Sequence, residues 1–210
     1  MKTIEKFMNY RLLALLFMGL VIASCSDDDD VPEEENELEV ITNVTLIFTN
    51  DADPNDVVRA RAVDPDGEGA DDLEVLDDIT LTVDTQYTLT FEILNALETP
   101  AEDIGEEILD EDDEHQFFFS FTNDAFDSPR GDGNIDTASD PINYNDEDSV
   151  AQDGSGNPVG LSTTWTTPIT GTPAGTFTAR LQHQPDIKTD TTGATDGDPD
   201  FILEFNLIIE

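Results

Sequence analysis

The residues of this chain best suited to chemistry are two imidazoles and a large excess of carboxylates. His115 follows Glu114 and opens an apolar run, HQFFFSF, while His183 stands near the end of a second alternating run; the sequence has no other histidine. Two strand-borne imidazoles with a carboxylate beside them could jointly hold zinc or copper, because imidazole nitrogen suits borderline transition metals. Two histidines at strand ends also serve as ordinary hydrogen-bonded or exposed groups, and that reading stands beside the metal one.

The carboxylates suggest calcium. Asp64-Pro65-Asp66-Gly67-Glu68-Gly69 places Asp64, Asp66 and Glu68 at alternate positions, as a hard cation with six to eight oxygen ligands requires. Continued as an EF-hand loop, the segment reaches Val75 where a bidentate Glu should stand, so a complete EF-hand is excluded. Asp132, Asn134 and Asp136 form a similar set, and Asp196, Asp198 and Asp200 another. With 49 acidic residues, such clusters also arise from composition alone as solvated turns. Arg130-Gly131-Asp132 spells the integrin-binding tripeptide, which chance readily produces in a chain so rich in Gly and Asp. Trp165 and the Phe117, Phe118, Phe119 and Phe121 cluster read as core first; were a glycan bound, Trp165 or Tyr144 would stack on its rings. Phosphate-binding glycine loops, paired CxxC, HExxH and the nucleophile elbow are all absent, and a serine nucleophile would have to recruit one of the two histidines without a local signature. No enzyme is expected; a metal-dependent hydrolase built on His115 and His183 is the catalytic alternative.

The elements that must position these groups begin after a leader. Lys2, Lys6 and Arg11 precede an apolar run over residues 12–23, which ends at Ser24 and Cys25. This is signal-peptide anatomy, and the run falls short of the roughly 20 apolar residues a membrane-crossing helix needs. Ile22-Ala23-Ser24-Cys25 resembles the bacterial lipobox, which implies cleavage between Ser24 and Cys25 and acylation of Cys25, anchoring the chain in a lipid bilayer. Cys25 is the sole cysteine, so no intramolecular disulfide can form and the exported domain depends on its core. Residues 26–37 (SDDDDVPEEENE) hold eight acids and no apolar periodicity, a disordered, self-repelling tether. The domain ranges are therefore 1–24 for the signal peptide, 25–37 for the lipidated Cys and tether, and 38–210 for the folded domain.

Beyond residue 24 the chain holds 5 basic and 48 acidic groups, a net charge of −43. Such a field repels phosphate backbones and anionic lipid, which excludes nucleic acid as a partner and favours cations or cationic surfaces; it also keeps an exported domain soluble. From residue 38 the pattern turns to period two. Strands are expected over 38–48, 57–63, 79–83, 86–94, 115–121, 160–167, 175–184 and 201–209. The single helical candidate lies within 98–113, where Ile104 and Ile108 are four apart. Polar stretches over 122–157 and 185–200 read as long loops, the first longer than a compact domain needs and hence a candidate functional region. The expectation is an all-β fold: one β-sandwich of immunoglobulin-like, Greek-key type with about eight strands and at most one short helix.

Several segments together resemble one group of small flavobacterial (Bacteroidota) lipoproteins. They are the lipobox with SDDDD, residues 38–42 (LEVIT), 100–104 (PAEDI), 113–119 (DEHQFFF), 157–167 (NPVGLSTTWTT) and 175–185 (GTFTARLQHQP). The acidic run after the cysteine resembles their surface-export signal. The resemblance implies an outer-membrane lipoprotein exposed at the cell surface, with the periplasmic face as the alternative. Proteins of this group are often labelled members of the type 1 periplasmic binding fold superfamily; that label implies a two-lobed α/β ligand binder, whereas the strand pattern and chain length imply one sandwich. The functional expectation is a non-catalytic binding or structural module of the cell envelope, with an envelope protein, a glycan or calcium as partner. The alternative is a lipoprotein that delivers a small molecule or glycan to a transporter.

Overall fold

In a computed structural model of the chain, the described residues are 39–64, 73–146 and 158–210, all within a unit spanning residues 37–210. Ser24, Cys25, the tether, Asp66 and Glu68 lie outside them. In chain order the elements are β1 (Asn43–Asn50), β2 (Val57–Val63), β3 (Glu74–Val75), β4 (Ile79–Leu81), β5 (Gln86–Asn95), β6 (Glu102–Asp103), α1 (Ile104–Asp110), β7 (His115–Phe121), β8 (Ser162–Thr166), β9 (Thr172–His183) and β10 (Asp198–Ile209). The eight expected strands are all present. The two additions, β3 and β6, have two residues each, too few to show alternation in the sequence.

The fold is an all-β sandwich. One sheet runs β3-β2-β1-β5-β6 with β8 also paired to β5, and the other runs β4-β10-β9-β7. Pairing is antiparallel except for β4, which lies parallel to β10. Period-two alternation decides what each sheet buries. In β1, Val44, Leu46 and Phe48 are fully buried while Asn43, Thr45 and Ile47 are half-buried. The facing sheet contributes Phe117, Phe119 and Phe121 from β7, Phe177, Ala179 and Leu181 from β9, and Phe201, Leu203, Phe205 and Leu207 from β10. Aromatic rings join the layers: Phe48 meets Phe177 edge-on at 5.6 Å, and Phe91 stacks on Phe117 at 4.2 Å.

α1 is short because little favours its extension. Asp103 caps it by accepting from the Gly105 N–H at 3.1 Å, Glu106 and Glu107 complement the positive end of its dipole, and only Ile104 and Ile108 are buried.

β7 is an edge strand, yet its aromatic residues are almost wholly buried, so its outward backbone groups need partners other than water. The long polar loop after it supplies them. The Phe117 N–H donates to the Val159 carbonyl at 2.6 Å, the Phe119 N–H to Asn134 Oδ1 at 2.9 Å and the Phe121 N–H to the Asp132 carbonyl at 2.9 Å; the Ile135 N–H returns a bond to the Phe119 carbonyl. Tyr144, held by the same loop, donates to the Phe117 carbonyl at 2.7 Å and accepts from Asn134 Nδ2. The described part of the 122–157 stretch therefore has a structural task, that of closing a sheet edge.

Two predictions follow from this packing. Phe119→Ala should cost about 3–5 kcal/mol of unfolding free energy in urea, as large-to-small core changes do, while Ile202→Ala on the outer face of β10 should stay within about 0.5 kcal/mol. Asn134→Ala should cost about 1–3 kcal/mol, because it leaves the buried Phe119 N–H without an acceptor; equal urea midpoints for this variant and the parent would contradict the edge-closing role.

Candidate functional site

His115 and Phe117, Phe119 and Phe121 share one face of β7 by alternation, as His183 does with Leu181, Ala179 and Phe177 on β9. The β7–β9 register sets His115 directly opposite His183. The aromatic face of the core thus ends in two imidazoles, stacked with centroids 4.4 Å apart and planes 4° from parallel. Both are buried, His115 completely.

β10 adds a carboxylate by breaking its own alternation. The β9–β10 register shifts between Pro199 and Phe201, so that Asp200 and Phe201 are both buried. A bulge of this kind re-aims a side chain, and here it turns Asp200 toward the imidazoles, with Oδ2 3.6 Å from His115 Nε2. The end of α1 and the turn after it bring two more: Glu111 Oε2 lies 3.7 Å from His115 Nδ1, and Glu114 Oε2 lies 3.4 Å from His183 Nε2. One ligand atom from each of Glu111, His115 and His183 falls within 4.8 Å of the other two. Lys188 closes the cluster from the 185–197 loop, its ammonium donating to the His115 carbonyl at 2.8 Å and to that of Asp112.

Burial governs the charges. It pushes the His115 imidazole down to about 3, with His183 next in effect, so His115 is neutral at physiological pH and keeps a nitrogen lone pair. Burial, followed by Glu39, pushes Asp200 up to about 8. Glu39, half-buried beside Glu107 and Glu111, is raised to about 7 by desolvation and then by those neighbours. Both ring nitrogens of His115, Nδ1 of His183 and both carboxylate oxygens of Asp200 are buried without a hydrogen bond of good geometry; the backbone of Glu111 flanks His115 and that of Glu39 flanks Asp200. Each such group costs about 1–3 kcal/mol relative to a satisfied one.

The other candidates fare differently. Trp165 has no exposed surface; it packs against Phe119, Phe121, Phe126 and Phe177 and donates to Thr163 Oγ1 at 2.7 Å. Tyr144 is half-buried with its hydroxyl committed to the β7 edge. Trp165 is core, as expected, and the conditional sugar-stacking role is corrected for both residues: Trp165 has no face to offer and Tyr144 is an edge clamp. The expected calcium set Asp132, Asn134 and Asp136 is corrected too, since Asn134 turns inward to Phe119 and Tyr144 while Asp132 and Asp136 remain exposed. Asp64 is buried and its N–H donates to the Thr42 carbonyl, while its supposed co-ligands Asp66 and Glu68 lie outside the described residues. His115 and His183, which the alternative metal reading required to converge, lie opposite and stack on one another. Glu111 and Asp200 as their neighbours were missed; Pro199, which cannot donate within a sheet, was the one local cue to the bulge.

No protein-family model matches the chain, and comparison with curated proteins and with solved structures finds no match.

The turn that returns the chain from β9 to β10 passes through Gly197 at φ +78°, where an added Cβ would lie 2.0 Å from the His183 carbonyl oxygen. Gly197→Ala should therefore lower stability by at least about 1–2 kcal/mol, the cost of a left-handed backbone for an L-residue, measured by urea unfolding; an unchanged midpoint would mean that the turn relaxes freely.

Proposed function

We propose that this chain is a lipid-anchored protein of the cell envelope whose β-sandwich acts as a non-catalytic binding or structural module held off the membrane by an acidic tether. The anchor rests on the lipobox-like Ile22-Ala23-Ser24-Cys25 and the eight acids that follow it within residues 26–37. The observation that supports this reading over an enzyme with a hydroxyl nucleophile is the setting of the two histidines. Both imidazoles turn to carboxylates and to one another, and among the described residues no hydroxyl hydrogen-bonds either ring. A nucleophile activated by a histidine needs that contact.

The interior supports the same reading. The space between the sheets is filled by Phe48, Phe117, Phe119, Trp165 and Phe177, all of them fully buried. With Trp165 in the core, a glycan loses its best stacking partner, and an envelope protein with a cationic face becomes the favoured partner for so acidic a surface.

The anchor is tested by Cys25→Ser. The parent chain should sediment with membranes and require detergent for release, and the variant should move to the soluble fraction with its β-sheet circular dichroism unchanged. Membrane association that survives the substitution would overturn the lipid-anchor reading.

A further inference from the structure

We propose that His115, His183 and Glu111 form a binding site for one divalent transition-metal ion of the zinc class, with Asp200 and Glu114 as the carboxylates that orient the two imidazoles. Five observations support this site. The first is convergence: three ligand atoms from β7, β9 and the end of α1 lie within 4.8 Å of one another. Around zinc, with ligand bonds of about 2.0–2.2 Å, tetrahedral ligand atoms sit roughly 3.4 Å apart, so atoms at most 4.8 Å apart have to draw in by no more than about 1.4 Å. Glu111, half-exposed after the last turn of α1, can close its own distances, while the two stacked imidazoles must turn out of parallel to aim at one ion.

The second observation is the unsatisfied polar atoms. His115, completely buried, has no hydrogen bond of good geometry on either nitrogen, only the flanking Glu111 backbone, and buried His183 has none on Nδ1. Interiors satisfy such groups with protein, water or an ion. A water would answer one nitrogen; a cation answers several lone pairs at once.

The third is the arrangement around the rings. His115 Nε2 faces Asp200 and His183 Nε2 faces Glu114, at 3.6 and 3.4 Å. Metal-bound histidines commonly donate their second ring N–H to a carboxylate, which fixes the tautomer and aims the other nitrogen at the ion. Here that leaves Nδ1 of each ring as the ligand atom, and Glu111 Oε2 already lies 3.7 Å from Nδ1 of His115.

The fourth is ligand chemistry. Two imidazoles and one carboxylate suit zinc and its first-row neighbours, whereas calcium and magnesium require oxygen ligands throughout. A three-residue set leaves a fourth position for water or for a group from a partner molecule.

The fifth is the local field. Lys188, within reach of His115, opposes a cation. The carboxylates of Glu111 and Glu114, 3.7 and 3.4 Å from the same rings, outnumber it.

The test uses the whole chain in detergent, with Cys25→Ser in every sample so that no thiol can bind the ion. Zinc chloride is titrated by calorimetry and by thermal unfolding, with calcium and magnesium chloride as comparisons. The expected result is saturation at one zinc per chain and a rise in unfolding temperature that neither calcium nor magnesium reproduces. Glu111→Gln, which keeps the size of the side chain, and His183→Gln should each weaken zinc binding tenfold or more. Asp200→Asn should weaken it about 10–100-fold, as loss of an orienting carboxylate does. Zinc uptake equal in the parent, Glu111→Gln and His183→Gln would mean adsorption to surface carboxylates and would overturn the site, as would the absence of saturable uptake or an equal response to calcium.

Discussion

The pairing of β7 with β9 is the constraint on which most of this domain depends. β7 carries four phenylalanines in seven residues, and its register against β9 is specified because a slip by one residue would exchange the whole Phe117, Phe119 and Phe121 face for Gln116, Phe118 and Ser120. Once Phe119 and Phe121 are committed to Trp165 and Phe177, the polar ends of both strands have no freedom left. His115 and His183 must face one another at the sandwich end. Their juxtaposition is a consequence of the register, and the register is held by aromatic packing well away from the imidazoles.

The same strand explains the length of the loop that follows it. An apolar edge is an invitation to pair with another chain. The 123–146 segment answers by donating and accepting along β7 and then crossing to β8, where the Asn143 side chain bonds the Thr164 carbonyl and the Asn145 N–H bonds that of Ser162. A polar composition that reads as a candidate ligand loop is in fact needed to satisfy backbone groups. The Asp132 carbonyl and the Asn134 amide are spent on that task, and only exposed side chains such as Asp136 remain for solvent.

Alternation and turn chemistry made the fold largely legible: the eight longer strands, the short helix around Ile104 and Ile108, and the core placement of Trp165 all follow from local patterns. The site was legible only in part. The placement of each histidine at an end of an apolar run was visible. Which strand lies beside β7 is a non-local fact, set by packing between residues about seventy positions apart, and no local pattern encodes it. Asp200 was hidden for another reason: its inward turn needs a bulge that breaks the alternation of β10, so it resembled its exposed neighbours Asp196 and Asp198. Glu111 entered through the place where α1 stops, a boundary determined by weak capping and by loss of apolar residues.

A sandwich of this size does not need a metal to fold. A domain near 170 residues buries roughly 70 % of the surface of its unfolded chain, and this one does so with a continuous aromatic and aliphatic core and no disulfide. Were stability all that mattered at the β7–β9 end, Leu or Phe at positions 115 and 183 would extend the core and remove the unsatisfied polar atoms. Instead the polar groups lie one register step beyond Phe117 and Leu181, where His115 gains no hydrogen bond of good geometry and His183 gains one, to Glu114. Buried imidazoles and a buried carboxylate in that condition lower stability when empty. A ligand that binds only the folded form returns that free energy on binding, so the proposed ion, more than the fold itself, would account for the residues found at this end of the sandwich.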